Sequence, residues 1–237
     1  MARSLSLPDA PPLPIPDDLD TRLLELGVSL DSEKRNTIAA FLGRMLAMNA
    51  QMNLTSVTDP AAVWVRHVLD GLSLLPGLDR LQPGQRVADL GSGSGVPGVL
   101  LAIARPDLEV TLIEATQKKA AYLVAITEAL KLGNVRVLAE RAEALHRSCP
   151  GRFDVVVARA VARLVELIPL AAPLARRGGR LLLIKGEQAE AELADAGRIF
   201  RKYDVHYRRT IVTPTGRILV FRVGPAQAVA GGGKGSV

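Results

Sequence analysis

One stretch constrains the rest of the chain more than any other: Val87-Ala88-Asp89-Leu90-Gly91-Ser92-Gly93-Ser94-Gly95-Val96-Pro97-Gly98. An apolar run enters it, and a second, Val99-Leu100-Leu101-Ala102-Ile103-Ala104, leaves it. That order predicts strand, glycine turn and helix, the opening of a βαβ unit that takes a nucleotide-like ligand. Glycine lets the backbone adopt positive φ and pass close to a ligand with no Cβ in the way. Gly93 to Gly98 matches G-x-G-x-x-G in form. The first glycine after the strand is nevertheless Gly91, so the match starts two residues late. Pro97 also lacks an N–H where a pyrophosphate would seek donors. The register therefore speaks against a dinucleotide site.

From residue 86 onward, short apolar runs alternate with helical patterns. Strands are predicted over 86–90, 109–114, 135–139, 154–158 and 180–185, and helices over 117–130, 164–174 and 189–200. A closing antiparallel pair of strands is predicted over 205–212 and 217–223. The alternation implies an α/β fold: a mostly parallel seven-stranded sheet with helices on both faces, in a domain spanning 81–223. Residues 17–80 read as a helical N-terminal extension. A short helix over 18–26 stops at Gly27. A longer one is capped by Ser29, Asp31 or Ser32 and carries Ile38, Phe41, Leu42, Met45 and Leu46 on one face. A third opens at Asp59-Pro60. On it, Trp64, Val68, Leu72 and Leu75 share one side, and Arg66, His67, Asp70 and Ser73 another. The Arg66–Asp70 spacing fits either a solvated ion pair or a polar patch facing a substrate. Residues 1–16 are proline-rich and expected to be disordered or extended, and 224–237 form a flexible glycine-rich tail.

A net charge of +6 and a pI near 9.8 favour an anionic partner, nucleic acid first. Aromatic residues make up only 3%, too few for a stacking platform. The single cysteine, Cys149, excludes a disulfide framework and a cysteine-rich zinc site. His67, His146 and His206 are too scattered for a metal site to be expected. There is no apolar run of about 18 residues and no signal-peptide pattern, so the expectation is a cytoplasmic protein with no membrane partner.

The run Asp89-Leu90-Gly91-Ser92-Gly93-Ser94-Gly95 resembles the first motif of Rossmann-like class I methyltransferases. They use S-adenosylmethionine, a ligand without a pyrophosphate. In that frame Gly91, Gly93 and Gly95 line the ligand. Glu114, about twenty residues past the loop at the end of a strand, is placed to accept hydrogen bonds from the ribose hydroxyls. As an alternative, Glu114 is a helix N-terminal acid ahead of Lys118-Lys119. The backbone of Ala142 and Glu143, after the third strand, suits an adenine edge, or simply a helix start. Arg159 and Lys185 end the fourth and fifth strands, where open α/β sheets bind ligands. Arg159 suits a methionine carboxylate or a phosphate; Lys185 suits a phosphate or the target base.

Asn53-Leu54-Thr55-Ser56-Val57, Arg66-His67-Val68-Leu69-Asp70, the glycine motif, Arg159-Ala160 and Leu183-Ile184-Lys185-Gly186 follow one another in this order. Together, over about residues 30–223, the set resembles the ribosomal RNA small subunit methyltransferase G (glucose-inhibited division protein B) family. The resemblance implies N7 methylation of one guanine in 16S ribosomal RNA near the decoding region. The partner is then 16S ribosomal RNA or the small subunit; separately, no metal is expected and the enzyme is expected to be a monomer. It implies cofactor contacts at Gly91, Val96, Ala142, Glu143 and Arg159. The strand-two acid of the family is often aspartate; here it is Glu114. Arg66, His67, Asp70 and Lys185 are the candidates for an RNA-facing rim, with Arg159 and Lys185 as positioning residues. Guanine N7 carries an in-plane lone pair, so no general base is needed and alignment is the main contribution. The same cofactor could serve another RNA site or a small molecule. A non-catalytic RNA-binding module would not need the intact loop with Glu114. An NAD-dependent oxidoreductase is disfavoured by the loop register.

Overall fold

The computed structural model describes residues 5–148, 150–159 and 162–224. The helices α1 (Leu19–Glu25) and α2 (Ser32–Met52) open the fold. Asp31 caps α2, its carboxylate accepting from the Lys34 N–H. Asp59 does the same for α3 (Pro60–Val63). That helix runs on through a π-helical stretch, Trp64–Leu69, into α4 (Asp70–Leu72). The expectation of a plain third helix is corrected here: the wider π turn sits where the polar residues of the motif project.

The sheet comprises β1 (Arg86–Leu90), β2 (Glu109–Ile113), β3 (Val135–Leu138), β4 (Phe153–Arg159), β5 (Ala175–Lys185), β6 (Val205–Val212) and β7 (Arg217–Val223), in the order β3-β2-β1-β4-β5-β7-β6. The first five strands are parallel, and β7 runs antiparallel to both β5 and β6. One face is packed by α7 (Ala142–Ser148), α8 (Leu164–Ala171), α9 (Ala189–Asp195) and α10 (Gly197–Lys202), through Leu145, Leu167, Ile168 and Ala196. The other is packed by α2, α5 (Gly98–Ala104) and α6 (Gln117–Ala129), and by Leu74, Leu78 and Leu81 of the connector into β1.

Three elements differ from expectation. The strand read as 180–185 begins at Ala175, because Gly178 (φ +76°) and Gly179 form an irregularity within it rather than ending it. The helix read as 189–200 breaks at the buried Ala196 (φ −86°, ψ 3°). The helix read as 164–174 ends in a 3₁₀ turn carrying Pro173.

Of the two states expected for the N-terminal segment, disordered or extended, residues 5–16 take the extended one. Over residues 5–16 it is extended and packed on α2: the Leu13 N–H donates to the Ala39 carbonyl at 2.9 Å, and Trp64 Nε1 donates to the Pro14 carbonyl at 2.8 Å. Gly43 admits it, since a Cβ there would lie 2.0 Å from the Pro11 carbonyl oxygen. Nor is the helical region a separate body. Ile38, Phe41, Leu42 and Met45 share one core with Val99, Tyr122 and Leu123. The glycine-rich tail, 225–237, lies outside the described residues.

Candidate active site

The loop after β1 is built on positive φ at Gly91 (+74°), Gly93 (+51°) and Gly95 (+93°), a region costly for residues with a Cβ. The N–H groups of Gly91 and Ser92 both donate to the Ile113 carbonyl, at 2.9 and 3.1 Å, tying the loop to the end of β2. The Tyr122 hydroxyl donates to the Ser94 carbonyl at 3.3 Å. A Cβ on Gly95 would lie 2.9 Å from Val99 and 3.3 Å from Phe41, so α2 and α5 both wall the loop.

Glu114 faces this loop. Its Oε2 accepts from the Gly93 N–H at 2.9 Å and its Oε1 from the Thr116 N–H at 2.7 Å. A carboxylate has about four acceptor positions, so each oxygen keeps one for a further donor. Glu114 orders the loop through Gly93, meets the N-cap residue of α6 through Thr116, and keeps capacity for a further donor.

Asp89, inside β1, was not among the expected site residues. Its Oδ2 accepts from the Gly98 N–H at 3.0 Å, at the start of α5. Its buried Oδ1 has no hydrogen-bond partner among the described residues. Burial pushes the carboxyl up to about 6, against the Gly98 N–H, Ser92 and the Arg159 charge, which pull it down.

The motifs around residues 53–57, 66–70 and 159 meet in one hydrogen-bonded chain. Asn49 Oδ1 accepts from the Thr55 N–H at 2.8 Å. The Thr55 hydroxyl lies 2.9 Å from His67 Nε2, and His67 Nδ1 lies 3.0 Å from Arg159 NH1. The same guanidinium nitrogen donates to the Arg66 carbonyl at 2.8 Å. An arginine can only donate, so His67 Nδ1 is the acceptor and the ring proton sits on Nε2, pointing at Thr55. Burial first, then the Arg159 charge, hold this imidazole down at about 4, so it is neutral at physiological pH. With both nitrogens engaged it is not free to act as a base. Arg159 spends NH1 on these contacts. Its Nε–H and NH2 have no partner among the described residues, and its charge acts on Asp89 and Asp70 alike.

Arg159 borders an open cleft of about 580 Å³ at the carboxyl ends of the strands, shared with Thr55, Val57, Arg66, Gly186 and Gln188. Arg66 is exposed there. The other three candidates for its RNA-facing rim, His67, Asp70 and Lys185, line the same cleft, but each is held by contacts within the protein. His67 and Asp70 are buried, with 3% and 5% exposure. Asp70 does not pair with Arg66; it accepts from the N–H and hydroxyl of Thr215, pinning the β6–β7 hairpin tip onto the helix. Lys185 ends β5 as predicted, but its ammonium is paired with Glu192 at 2.9 Å and donates to the Ala162 carbonyl at 2.6 Å. Glu192 also accepts from the Leu164 N–H at 2.8 Å. Lys185 thus lines the cleft with its charge already paired. Thr55 lay inside a conspicuous motif but gave no sign of its partner. Glu192 gave no signal at all, since it sits in an acidic stretch that reads as solvated.

Ala142 is buried and Glu143 exposed in the first turn of α7, just past β3. Val96, joined to Pro97 by a cis peptide, is buried at the loop end.

Comparison with known proteins gives the same picture. The sequence model of the family described as GidB, rRNA small subunit methyltransferase G, matches residues 34–213. The ribosomal RNA small subunit methyltransferase G of Sorangium cellulosum is 53% identical over 220 residues, 92% of each chain. That of Burkholderia ambifaria is 39% identical over 71% of this chain and 75% of its own. Among solved structures, a SAM-dependent methyltransferase from Aquifex aeolicus superposes with a TM-score of 0.54, at 18% identity, over 72% of this chain and 96% of that one. P. horikoshii TYW2 in complex with MeSAdo superposes with a TM-score of 0.55, at 17% identity, over 67% of this chain and 62% of that one.

Proposed function

From the premise that the chain belongs to the rRNA small subunit methyltransferase G family, we propose that it methylates N7 of one guanine in 16S ribosomal RNA. The cofactor is S-adenosylmethionine, which supplies an electrophilic methyl on a sulfonium. The observation that carries the reading is the chain from Asn49 through Thr55 and His67 to Arg159, which holds a partly unspent guanidinium at the border of the cleft.

The residues present suit that cofactor. The glycine loop offers a floor without side chains, Glu114 has spare acceptor capacity for ribose hydroxyls, and Arg159 has spare donors for the methionine carboxylate. Gly91 and Val96 would border it, and the backbone of Ala142 and Glu143 would meet the adenine edge.

Transfer forms the N7–methyl bond and breaks the methyl–sulfur bond, and no proton moves. That suits a site whose one buried imidazole is held neutral and fully bonded. The protein's part is to align the groups and exclude water. Arg66, exposed at the cleft rim, is placed to meet RNA phosphate. Ribosomal RNA is the substrate, so the enzyme works in the cytoplasm where subunits are assembled.

Two experiments test this. Protein incubated with methyl-labelled cofactor and either naked 16S RNA or assembled small subunits should label one guanine. Strand scission after borohydride and aniline should map the label to N7. Transfer to a small molecule, or to no RNA, overturns the reading. Separately, Glu114→Ala should weaken cofactor binding at least about tenfold, the scale of one lost charge-assisted hydrogen bond. Calorimetric titration measures this, and wild-type affinity in the variant would remove Glu114 from the ribose role.

A further inference from the structure

A second basic surface lies at the opposite end of the sheet. Arg180 is on β5, in register with Arg222 on the antiparallel β7. Side chains alternate along a strand, so Arg180 shares a face with Leu182 and Ile184, and Arg222 with Val220 and Ile218. Arg209 on β6 is in register with Val220, on the same face as Ile211. Arg80 lies in the connector that packs Leu78 and Leu81 over this face, close enough for its charge to act on Arg180. Arg176 joins it at the edge: a Cβ added to Gly178 would lie 3.3 Å from an Arg222 guanidinium nitrogen and 3.7 Å from one of Arg176.

Around Arg180 the cations outnumber the acids. Arg180 is half-buried, and its pKa is lowered first by burial and then by Arg80, Arg176 and Arg209; only Asp154 opposes. Asp154 is already committed, to Arg176, to Gln85 Nε2 and to the Arg86 N–H. No side-chain hydrogen bond or ion pair engages Arg80, Arg180 or Arg209 among the described residues, and Arg80 and Arg209 are exposed. Gathering like charges around a half-buried guanidinium costs folding energy, and an anion brought to the surface would offset it.

We propose that this arginine face is a second RNA-binding surface, which holds the phosphate backbone of the substrate RNA away from the methyl-transfer cleft. Five residues of β5 separate Arg180 from Lys185 at the cleft end, about 17 Å at strand rise. One RNA segment would thus be gripped at the base of the sheet while another presents its base at the top. Phosphate contacts of this kind position the RNA without reading sequence. The proposal rests on the chain acting on small-subunit ribosomal RNA.

The test compares the full-length wild type with Arg80→Gln/Arg209→Gln, both exposed positions, and with Arg198→Gln/Arg201→Gln. The latter pair removes the same charge from exposed positions on α10, on the other face of the sheet. Binding to transcribed 16S RNA is followed across a salt series, with methyl transfer measured at saturating RNA. The first pair should weaken RNA binding about tenfold and flatten the slope of log affinity against log salt by roughly 1.4 to 1.8, as expected for two lost phosphate contacts. Cofactor affinity and saturated turnover should be unchanged. RNA affinity and salt slope equal to wild type, or an equal loss in the α10 control pair, overturns the arginine face while leaving the methyltransferase reading intact. A wild type that neither binds nor methylates 16S RNA, either naked or in assembled small subunits, overturns both.

Discussion

Arg159→Ala is expected to reduce methyl transfer at least about a hundredfold, through cofactor affinity and turnover together. The guanidinium is the end of a fixed chain at the border of the cleft, and its Nε–H and NH2 remain unspent among the described residues. Losing a charged, bidentate contact costs about 3 kcal/mol, and misplacing a reactant by an ångström costs about as much again in rate. Arg159→Lys should recover little, because an ammonium cannot serve His67 Nδ1, the Arg66 carbonyl and an outward carboxylate from one planar group. The variant also leaves the His67 and Arg66 acceptors unpaired, so stability should fall by about 1–3 kcal/mol. Calorimetry with cofactor, a methyl-transfer assay and urea unfolding separate these effects. Thr55→Val, which cuts the chain one link earlier, should lower turnover less and keep the protein folded. Full turnover in Arg159→Ala would dismiss the guanidinium from the site.

How far the sequence disclosed this site depends on the range of each interaction. The glycine loop and the strands at 86–90, 205–212 and 217–223 were legible because they rest on local rules: alternation, apolar runs and the φ freedom of glycine. Glu114 was legible because strand length fixes where a strand-end side chain emerges. The roles of Asp70 and Lys185 were not. Asp70 is defined by Thr215, 145 residues away on a hairpin tip, and Lys185 by Glu192 on a helix that resembled a solvated one. Both residues carry charge at strand or helix positions near a ligand face and both line the cleft; what composition could not show is the distant partner each is paired with there. For residues 5–16 composition left the disordered and extended states both open, for the same reason. Proline removes helical options, but only the gap left by Gly43 gives the segment a place to pack.

Asp89 should make itself visible through pH. Its carboxyl is raised to about 6 in the folded protein, mainly by burial, against an unfolded value near 3.8. Below 3.8 both states hold the proton and the group's contribution to stability is fully present. As pH rises the unfolded chain ionises first, and the contribution is lost progressively until the folded group also ionises near 6. The loss is about 3 kcal/mol in total. Asp89→Asn keeps an acceptor for the Gly98 N–H and cannot ionise. Its stability relative to wild type should therefore climb by about that amount between pH 4 and pH 7 and then level off, as read from urea midpoints at each pH. The wild-type curve alone would hide this, because His67 pulls the other way. With a folded value of about 4 against 6.5 unfolded, its contribution is present above 6.5 and lost as pH falls toward 4. The two opposed slopes overlap in the same window, and only the difference between variant and wild type isolates the carboxylate. The Arg159 charge lowers both values, so Arg159→Ala should move both upward, weakening the His67 slope and steepening that of Asp89. A variant–wild-type difference independent of pH would mean that Asp89 is already ionised in the fold, and with it that the orphaned oxygen beside the glycine loop has a partner.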